Sequence, residues 1–491
     1  MAPAVGQQGD RARWIALVVL CVGMLMIVLD VTVVNVALPN IQSDLGFGSS
    51  SLAWVVNAYL IAFGGLLLLA GRLGDLLGRR RVFMTGLVVF TLASLICGLS
   101  DSQGMLIAAR FVQGIGGAMT SAVILGMIVT MFSEPGEQAK AMGVYAFVAS
   151  AGGSIGLLAG GVLTQAISWH WIFFINVPIG IATGVFATRV LPSDTGLGMR
   201  QGADGLGALL ITAALMLGVY TIVKPAAEQG WGSGRTLALG AVSLALLAAF
   251  LVREATARTP LVPLRIFRSR NISGANVIQA LVVAGMFSVF FLGTLYLRRV
   301  LGYDALEIGL AFLPTTLVMG TLSLRYSERL IMRFGPRGTL LPGLVLIAAG
   351  LALFARVPVD GHYVTDILPA GLLMGVGVGV SFAALMTLAM ADADPSQAGL
   401  ASGLVNTTAQ VGGALGLAVL ATLSATRTSH LLAQGVSSHA ALTSGYRLGF
   451  MVATGLVLAG LAVALVVLRS APKPAPAAAR SIDVQPARSE A

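Results

Sequence analysis

Leu29-Asp-Val-Thr-Val-Val-Asn-Val-Ala-Leu-Pro-Asn-Ile41 places one carboxylate, Asp30, in an apolar run with no other charged side chain between Trp14 and Pro39. In a segment long enough to span a bilayer, a charged Asp costs about 2.5–3.5 kcal/mol on insertion scales. A carboxylate kept at such a cost marks a functional hypothesis. The rest of the chain decides whether a membrane is the setting.

The chain has 491 residues, of which 57% are hydrophobic and 10% charged. Soluble domains carry about 25% charged residues, and no soluble fold hides this much apolar surface. Its 61 glycines suit a membrane protein whose helices approach closely. The formal charge of +10 does not signal nucleic acid, because the basic residues lie between apolar segments rather than in one patch. Cys21 and Cys97 both fall inside apolar segments and read as small buried hydrophobes, with no disulfide or metal site. Arg11 and Arg13 precede a run too long for a signal peptide and lacking a small-residue cleavage site, so an uncleaved first helix is expected.

Fourteen segments meet the requirement of about 20 mostly apolar residues, the first over 14–38 and the last over 446–468. With the N-terminus cytoplasmic, 22 of the 30 Lys and Arg fall on the cytoplasmic side, seven outside and one, Arg110, inside a helix. A missed or extra helix early in the chain scrambles that asymmetry, so both ends are expected inside. The tail 469–491, rich in Ala and Pro, is expected to be disordered.

An internal repeat is visible. Gly71-Arg-Leu-Gly-Asp-Leu-Leu-Gly-Arg-Arg-Arg81 follows the second helix, and Arg329-Leu-Ile-Met-Arg-Phe-Gly-Pro-Arg337 follows the tenth, aligning Gly335 with Gly78 and Met332 with Asp75. Transporters built from repeated bundles show such matched loops. Helices seven and eight are then an insert. The expected units are an N-terminal bundle (1–190), two inserted helices with a linker (191–270), a C-terminal bundle (271–468) and the tail.

Six segments in chain order now carry a resemblance: Leu29–Ile41, Trp54-Val-Val-Asn57-Ala-Tyr59, Gly71–Arg81, Arg110-Phe-Val-Gln113-Gly114-Ile-Gly116-Gly117, Phe173–Gly180, and Gly399–Gly403 through Gly416. The chain resembles the fourteen-helix drug:proton antiporter branch of the major facilitator superfamily. The resemblance implies an all-α membrane fold of two six-helix bundles plus two inserted helices. It also implies a conformational latch at Gly71, Asp75, Gly78, Arg79 and Arg80. On helix five, Gly156, Gly160 and Gly161 are in register with the branch's antiporter motif, but its Pro position holds Leu157. A Trp-Arg-Trp of the branch reads Trp169-His170-Trp171, and the second-half loop has Met332 in place of the acid.

Residue arithmetic gives Asp30 a partner. Asp30 lies 16 residues past Trp14, about 24 Å along a helix, while Arg110 lies about 8 Å inward from the outer end of helix four. Both reach the outer half of the membrane. Burial disfavours the carboxylate, a guanidinium favours it, and water or a bound cation decides the balance. A proton switch and a permanent structural ion pair are both open. The spacing Gly152/Gly156/Gly160 permits close helix contact. It suits plain packing, a hinge, or a seal against ion leak.

Candidate substrate-cavity residues are Asn57, Gln113, Gln279, Phe287, Phe291, Asn406 and Gln410, the last two sharing a face at i,i+4. His170, Asp304 and Glu307 are expected at outer helix ends in water. Gly375–Gly379 is expected to pack helices, since no Lys-Ser/Thr follows it. No metal cluster or nucleophile triad is found, so an enzyme is not expected.

The expected function is proton-coupled efflux of hydrophobic or amphipathic compounds by alternating access. No cofactor is needed, because the proton gradient supplies energy, about 2.3 kcal/mol per charge per 100 mV. The expected partners are small hydrophobic or amphipathic substrates, protons and the lipid bilayer, with no nucleic acid. A monomer in the cell membrane is the expected form. Rivals are a dedicated exporter of one endogenous metabolite or lipid, a uniporter or importer, and a non-transporting receptor or scaffold.

Overall fold

The computed structural model describes residues 10–48, 51–132, 134–192, 194, 196, 198, 204–258, 260–262, 264–390 and 398–468. The tail 469–491 lies outside them. Fourteen long helices run through the described residues. The first six are α1 (Asp10–Leu45), α2 (Ser51–Leu77), α3 (Arg79–Gly98), α4 (Gln103–Met131), α5 (Pro135–Ala166) and α6 (Trp171–Val190). Two follow as α7 (Gly205–Ala226) and α8 (Gly234–Thr256). The last six are α9 (Arg270–Arg299), α10 (Ala305–Thr321), α11 (Ser327–Phe354), α12 (Tyr363–Ala389), α13 (Ala398–Ala433) and α14 (Ser438–Val466).

Twelve of these are long and apolar enough to cross a bilayer by themselves. The others are α5, with an apolar stretch over Ile155–Ala166, and the 17-residue α10. Helices are the form this sequence must take, because each backbone N–H and C=O in hydrocarbon has to be satisfied within its own segment. Side chains cap the starts of α7, α8, α9 and α10, whereas those of α4, α5 and α14 have no such cap. Ser269 accepts from Ile272 N, and Asp304 with Glu307 forms a reciprocal capping box at 2.8 Å in both directions. The two acids expected to be merely solvated thus start α10.

The repeated loop is real in the backbone. Gly78, between α2 and α3, has φ 98° and ψ 131°, and Gly335 has φ 77° and ψ 162°. Only glycine tolerates these left-handed values without strain. α10 continues as an overhang through the π-turn Leu322–Tyr326 into the first turns of α11, and the chain bends sharply only at Gly335, inside α11. Arg325, Arg329 and Arg333 occupy this overhang, which needs no apolar surroundings.

The bundles meet along two seams. On one, Gly161 of α5 lies where a Cβ would be 2.8 Å from the Ala305 carbonyl and 3.0 Å from Leu306 Cα, while Gly309 of α10 is equally close to the Leu157 carbonyl. On the other, Gly64 of α2 faces Gln410 and Thr407 of α13. The inserted pair covers that second seam. Gly65 of α2 packs on Thr212 of α7, Ser243 of α8 donates to Ala214 O at 2.8 Å, and Thr422 of α13 donates to Ile222 O at 3.3 Å. The outer surface of α8 is apolar and exposed, with Leu237 and Leu244 turned outward to where lipid lies.

Helix α5 is continuous across Leu157, which is buried. Gly152, Gly156 and Gly160 all press on α1, against Leu25 and Val28, Thr32, and Val33 respectively. Gly375, Gly377 and Gly379 likewise pack on carbonyls of Thr315, Gly343 and Met319. A Cβ on Gly160 would sit 2.9 Å from both Val33 Cα and Val33 O, backbone atoms that cannot swing aside. Gly160→Val is expected to destabilise the protein by about 1–3 kcal/mol through overpacking. Thermal melting in detergent checks this against Gly153→Ala, where nothing lies within 4 Å. Equal melting of the two variants would refute the tight α1–α5 contact.

Candidate functional site

Helices α1 and α4 run beside each other and bring Asp30 and Arg110 to the same level. Both are fully buried, and Arg110 NH1 donates to Asp30 Oδ2 at 2.5 Å. The depth reckoning from the sequence thus ends in direct contact. A buried pair is stable only when the remaining polar atoms are also satisfied. Here Arg110 Nε donates to the Val55 carbonyl at 2.9 Å, and NH1 also donates to Gln113 Oε1 at 2.6 Å. The guanidinium carbon lies 4.5 Å from the Tyr59 ring centroid and 5.7 Å from that of Phe173.

Asp30 is held from its other side. Gln113 Nε2 donates to Asp30 Oδ1 at 2.7 Å and to Ser94 Oγ at 2.7 Å, and Asn176 Nδ2 reaches Asp30 Oδ1 at 3.3 Å. Gln113 is therefore part of the charged cluster and fully buried within it. Arg110 and Gln113 act together because i,i+3 spacing puts them on one face of α4. Sequence reasoning did not single out Tyr59, Ser94 or Asn176. Tyr59 and Asn176 lie inside quoted motif segments, and Ser94 carried no signal.

Asn57 is fully buried, and neither its Nδ2 nor its Oδ1 has a hydrogen-bond partner among the described residues. It lies seven residues, two helical turns, before Gly64 and so shares the face turned to α13. On α13, the buried Thr407 hydroxyl is also unpartnered, and Gln410 lies against Gly64. Asn406 is exposed, so it parts from Gln410 in surroundings although both are on one helix. On α9, Gln279 is buried and Phe287 packs against Gly413. Phe291 lies among Leu292, Ala421, Leu442 and Tyr446, inside the second bundle rather than between the bundles.

At the end of the first bundle that carries the Gly71–Arg81 loop, Arg79 pairs with Asp75 at 3.2 Å and donates to the Gly126 carbonyl of α4 at 2.8 Å. Arg80 donates to the Thr188 carbonyl of α6 at 2.5 Å. Asp194 accepts from the backbone N–H of Arg79 and Arg80 at 2.6 and 3.2 Å, capping α3 from a residue over a hundred positions away. Gly78 admits this, since its Cβ would be 2.8 Å from the Asp194 carbonyl, and Gly71 lies at van der Waals distance from Ala122. These partners lie in the first six helices and the segment just after them. Cys21 and Cys97 are buried and free, and no group of three or more His, Cys, Asp or Glu fit to hold a metal occurs among the described residues.

The family model described as Major Facilitator Superfamily matches residues 20–417. The puromycin resistance protein pur8 of Streptomyces alboniger is 39% identical over 473 residues, covering 95% of this chain and 93% of that protein. The cephamycin export protein CmcT of Amycolatopsis lactamdurans is 40% identical over 453 residues, covering 92% and 91%. Among solved structures, a bacterial homolog of the human lysosomal transporter Spinster, inward-facing and unoccupied, is similar with a TM-score of 0.68. At 16% identity, covering 94% of this chain and 98% of that one, it bears on the fold alone.

Proposed function

The chain belongs to the major facilitator superfamily, a family of transporters rather than enzymes, and from that premise we propose that it is a proton-coupled exporter of hydrophobic or amphipathic compounds. The carrying observation is the fully buried Asp30–Arg110–Gln113 set with Asn176 beside it. Relatives named for resistance to or export of puromycin and cephamycin support drug efflux.

In this reading Asp30 is the proton acceptor. With Asp30 ionised, Arg110 and the two amides satisfy it. A proton arriving from outside neutralises it, weakens its hold on Arg110, and frees α1 to move relative to α4. Substrate occupies the space between α2, α9 and α13, where Asn57 and Thr407 offer polar groups that have no partner among the described residues and Gln279, Gln410 and Phe287 complete the wall. A buried polar group without a partner costs about 1–3 kcal/mol, so a substrate that hydrogen-bonds to Asn57 recovers that cost on binding. Alternating access opens and closes the α5–α10 and α2–α13 seams, with the Gly71–Arg81 loop as latch at the cytoplasmic end. The proposed setting is the cell membrane, with the protein as a monomer.

Substrate-dependent proton release from purified protein tests this, screened over puromycin, a cephamycin and hydrophobic cations. The expected result is release on adding several of them, largest where Asp30 starts protonated. No release with any transported compound would refute proton coupling. A second reading, export of one natural product, is favoured by relatives named for single antibiotics. Response to a single compound class decides for it.

A further inference from the structure

A second pocket lies at the opposite end of the first six helices from the Arg79–Arg81 loop, on the face that the charge asymmetry assigns to the outside. Its volume is about 570 Å³, within the range of small-molecule sites. It is lined by the end of α1, the α3–α4 connection and the start of α6, including Asp44, Asp101, His170, Trp171 and Phe174. Its walls are built. Trp169 Nε1 donates to Asp44 Oδ2 at 2.8 Å and fixes that carboxylate. His170 stacks on Trp169 with centroids 3.7 Å apart, Trp171 meets Phe174 edge-on, and Phe174 covers the backbone of Gly98. Gln103 donates to the carbonyls of Leu45 and Gly46 at 3.0 Å, joining α1 to α4 across the rim.

The charges here are one-sided. Asp44 and Asp101 are exposed and pair with no cation among the described residues. The outer connections of the first six helices contain no Lys or Arg, whereas in the last six Arg298 and Arg299 end α9 and Arg356 lies in the α11–α12 connection. Burial lowers the His170 pKa below its ordinary value, and the nearby Asp44 carboxylate pulls it back up. The imidazole thus adds no full positive charge at neutral pH. Two carboxylates beside an exposed Trp171 present both parts of organic-cation recognition, Coulomb attraction and an aromatic face.

We propose that this pocket is a binding site for organic cations with an aromatic or apolar body, reached from outside and separate from the Asp30–Arg110 cluster. Trp171 and Leu99, both exposed, place it where an amphipathic cation at the bilayer surface arrives with its apolar part already in lipid. Propidium, an aromatic dication that does not cross membranes, is the probe, added to right-side-out vesicles carrying the full-length protein and followed by its fluorescence. Saturable binding is expected, weakened about tenfold by Asp44→Asn with Asp101→Asn and several-fold by Trp171→Ala. Asn at 44 keeps an acceptor for Trp169, so the double variant removes charge and leaves the fold. Asp360→Asn, which removes an exposed acid from the α11–α12 connection, is expected to leave this binding unchanged, which separates the site from general charge attraction at the outer surface. Undiminished binding in the double variant, or an equal loss in Asp360→Asn, would overturn the proposal.

Discussion

Asp30→Asn is expected to abolish efflux driven by a pH gradient in vesicles while the protein stays folded. The substitution is nearly isosteric and removes the group that exchanges the proton. The surroundings can take it. Asn Oδ1 still accepts from Arg110 NH1, and the new Nδ2 replaces the oxygen that accepts from Gln113 Nε2 and Asn176 Nδ2. The Asn176 amide can turn to accept, since its Oδ1 has no hydrogen-bond partner among the described residues, while Gln113 Nε2 has to draw back onto Ser94 Oγ. Arg110 keeps the Val55 carbonyl, Gln113 Oε1 and the Tyr59 face. Its charge loses its counter-ion but not its donors' partners, so the stability loss falls below the about 3–5 kcal/mol typical of breaking a buried pair. Efflux and thermal melting measured on one preparation check the prediction. Efflux at the wild-type rate would exclude Asp30 as the proton carrier. Lost efflux with collapsed melting would instead mark a structural ion pair.

How much of this was legible in the sequence differs from residue to residue, for physical reasons. Asp30 and Arg110 were legible as partners because helices have a fixed rise and charges in lipid must find each other. Gly78 and Gly335 were legible as one repeated turn, since both need a positive φ. Asp194 was not, because its contact with α3 joins residues 115 positions apart and depends on how the connecting segment folds back. Gln113 was expected in the wall of the substrate cavity, not as a ligand of the charge pair. Its rotation about α4 relative to α1 is a tertiary fact. Phe291 shows the same limit, for aromatic spacing on α9 cannot say which side faces the other bundle. The seat of α7 and α8 over the α2–α13 seam had no sequence signature beyond the small residue Gly65 facing Thr212.

Arg110→Met is expected to damage the protein more than Asp30→Asn, and adding Asp30→Asn to it is expected to restore folding without restoring transport. Methionine fills much of the space but donates nothing. It leaves Asp30 with two neutral amide donors in a site without solvent exposure. Removing one partner of such a pair costs about 3–5 kcal/mol, because the remaining charge is uncompensated. The variant lowers that cost only by keeping Asp30 protonated, which also stops the proposed cycle and flattens the pH profile of transport. Asp30→Asn removes the stranded charge, so the double variant melts closer to wild type than Arg110→Met does. Coupling between contacting residues is commonly about 0.5–3 kcal/mol, and a buried charge pair belongs at the upper end. A double variant less stable than Arg110→Met alone would show that the two side chains are not energetically paired. Wild-type pH dependence in Arg110→Met would leave the pair a structural fastening of α1 to α4, with the proton carried elsewhere.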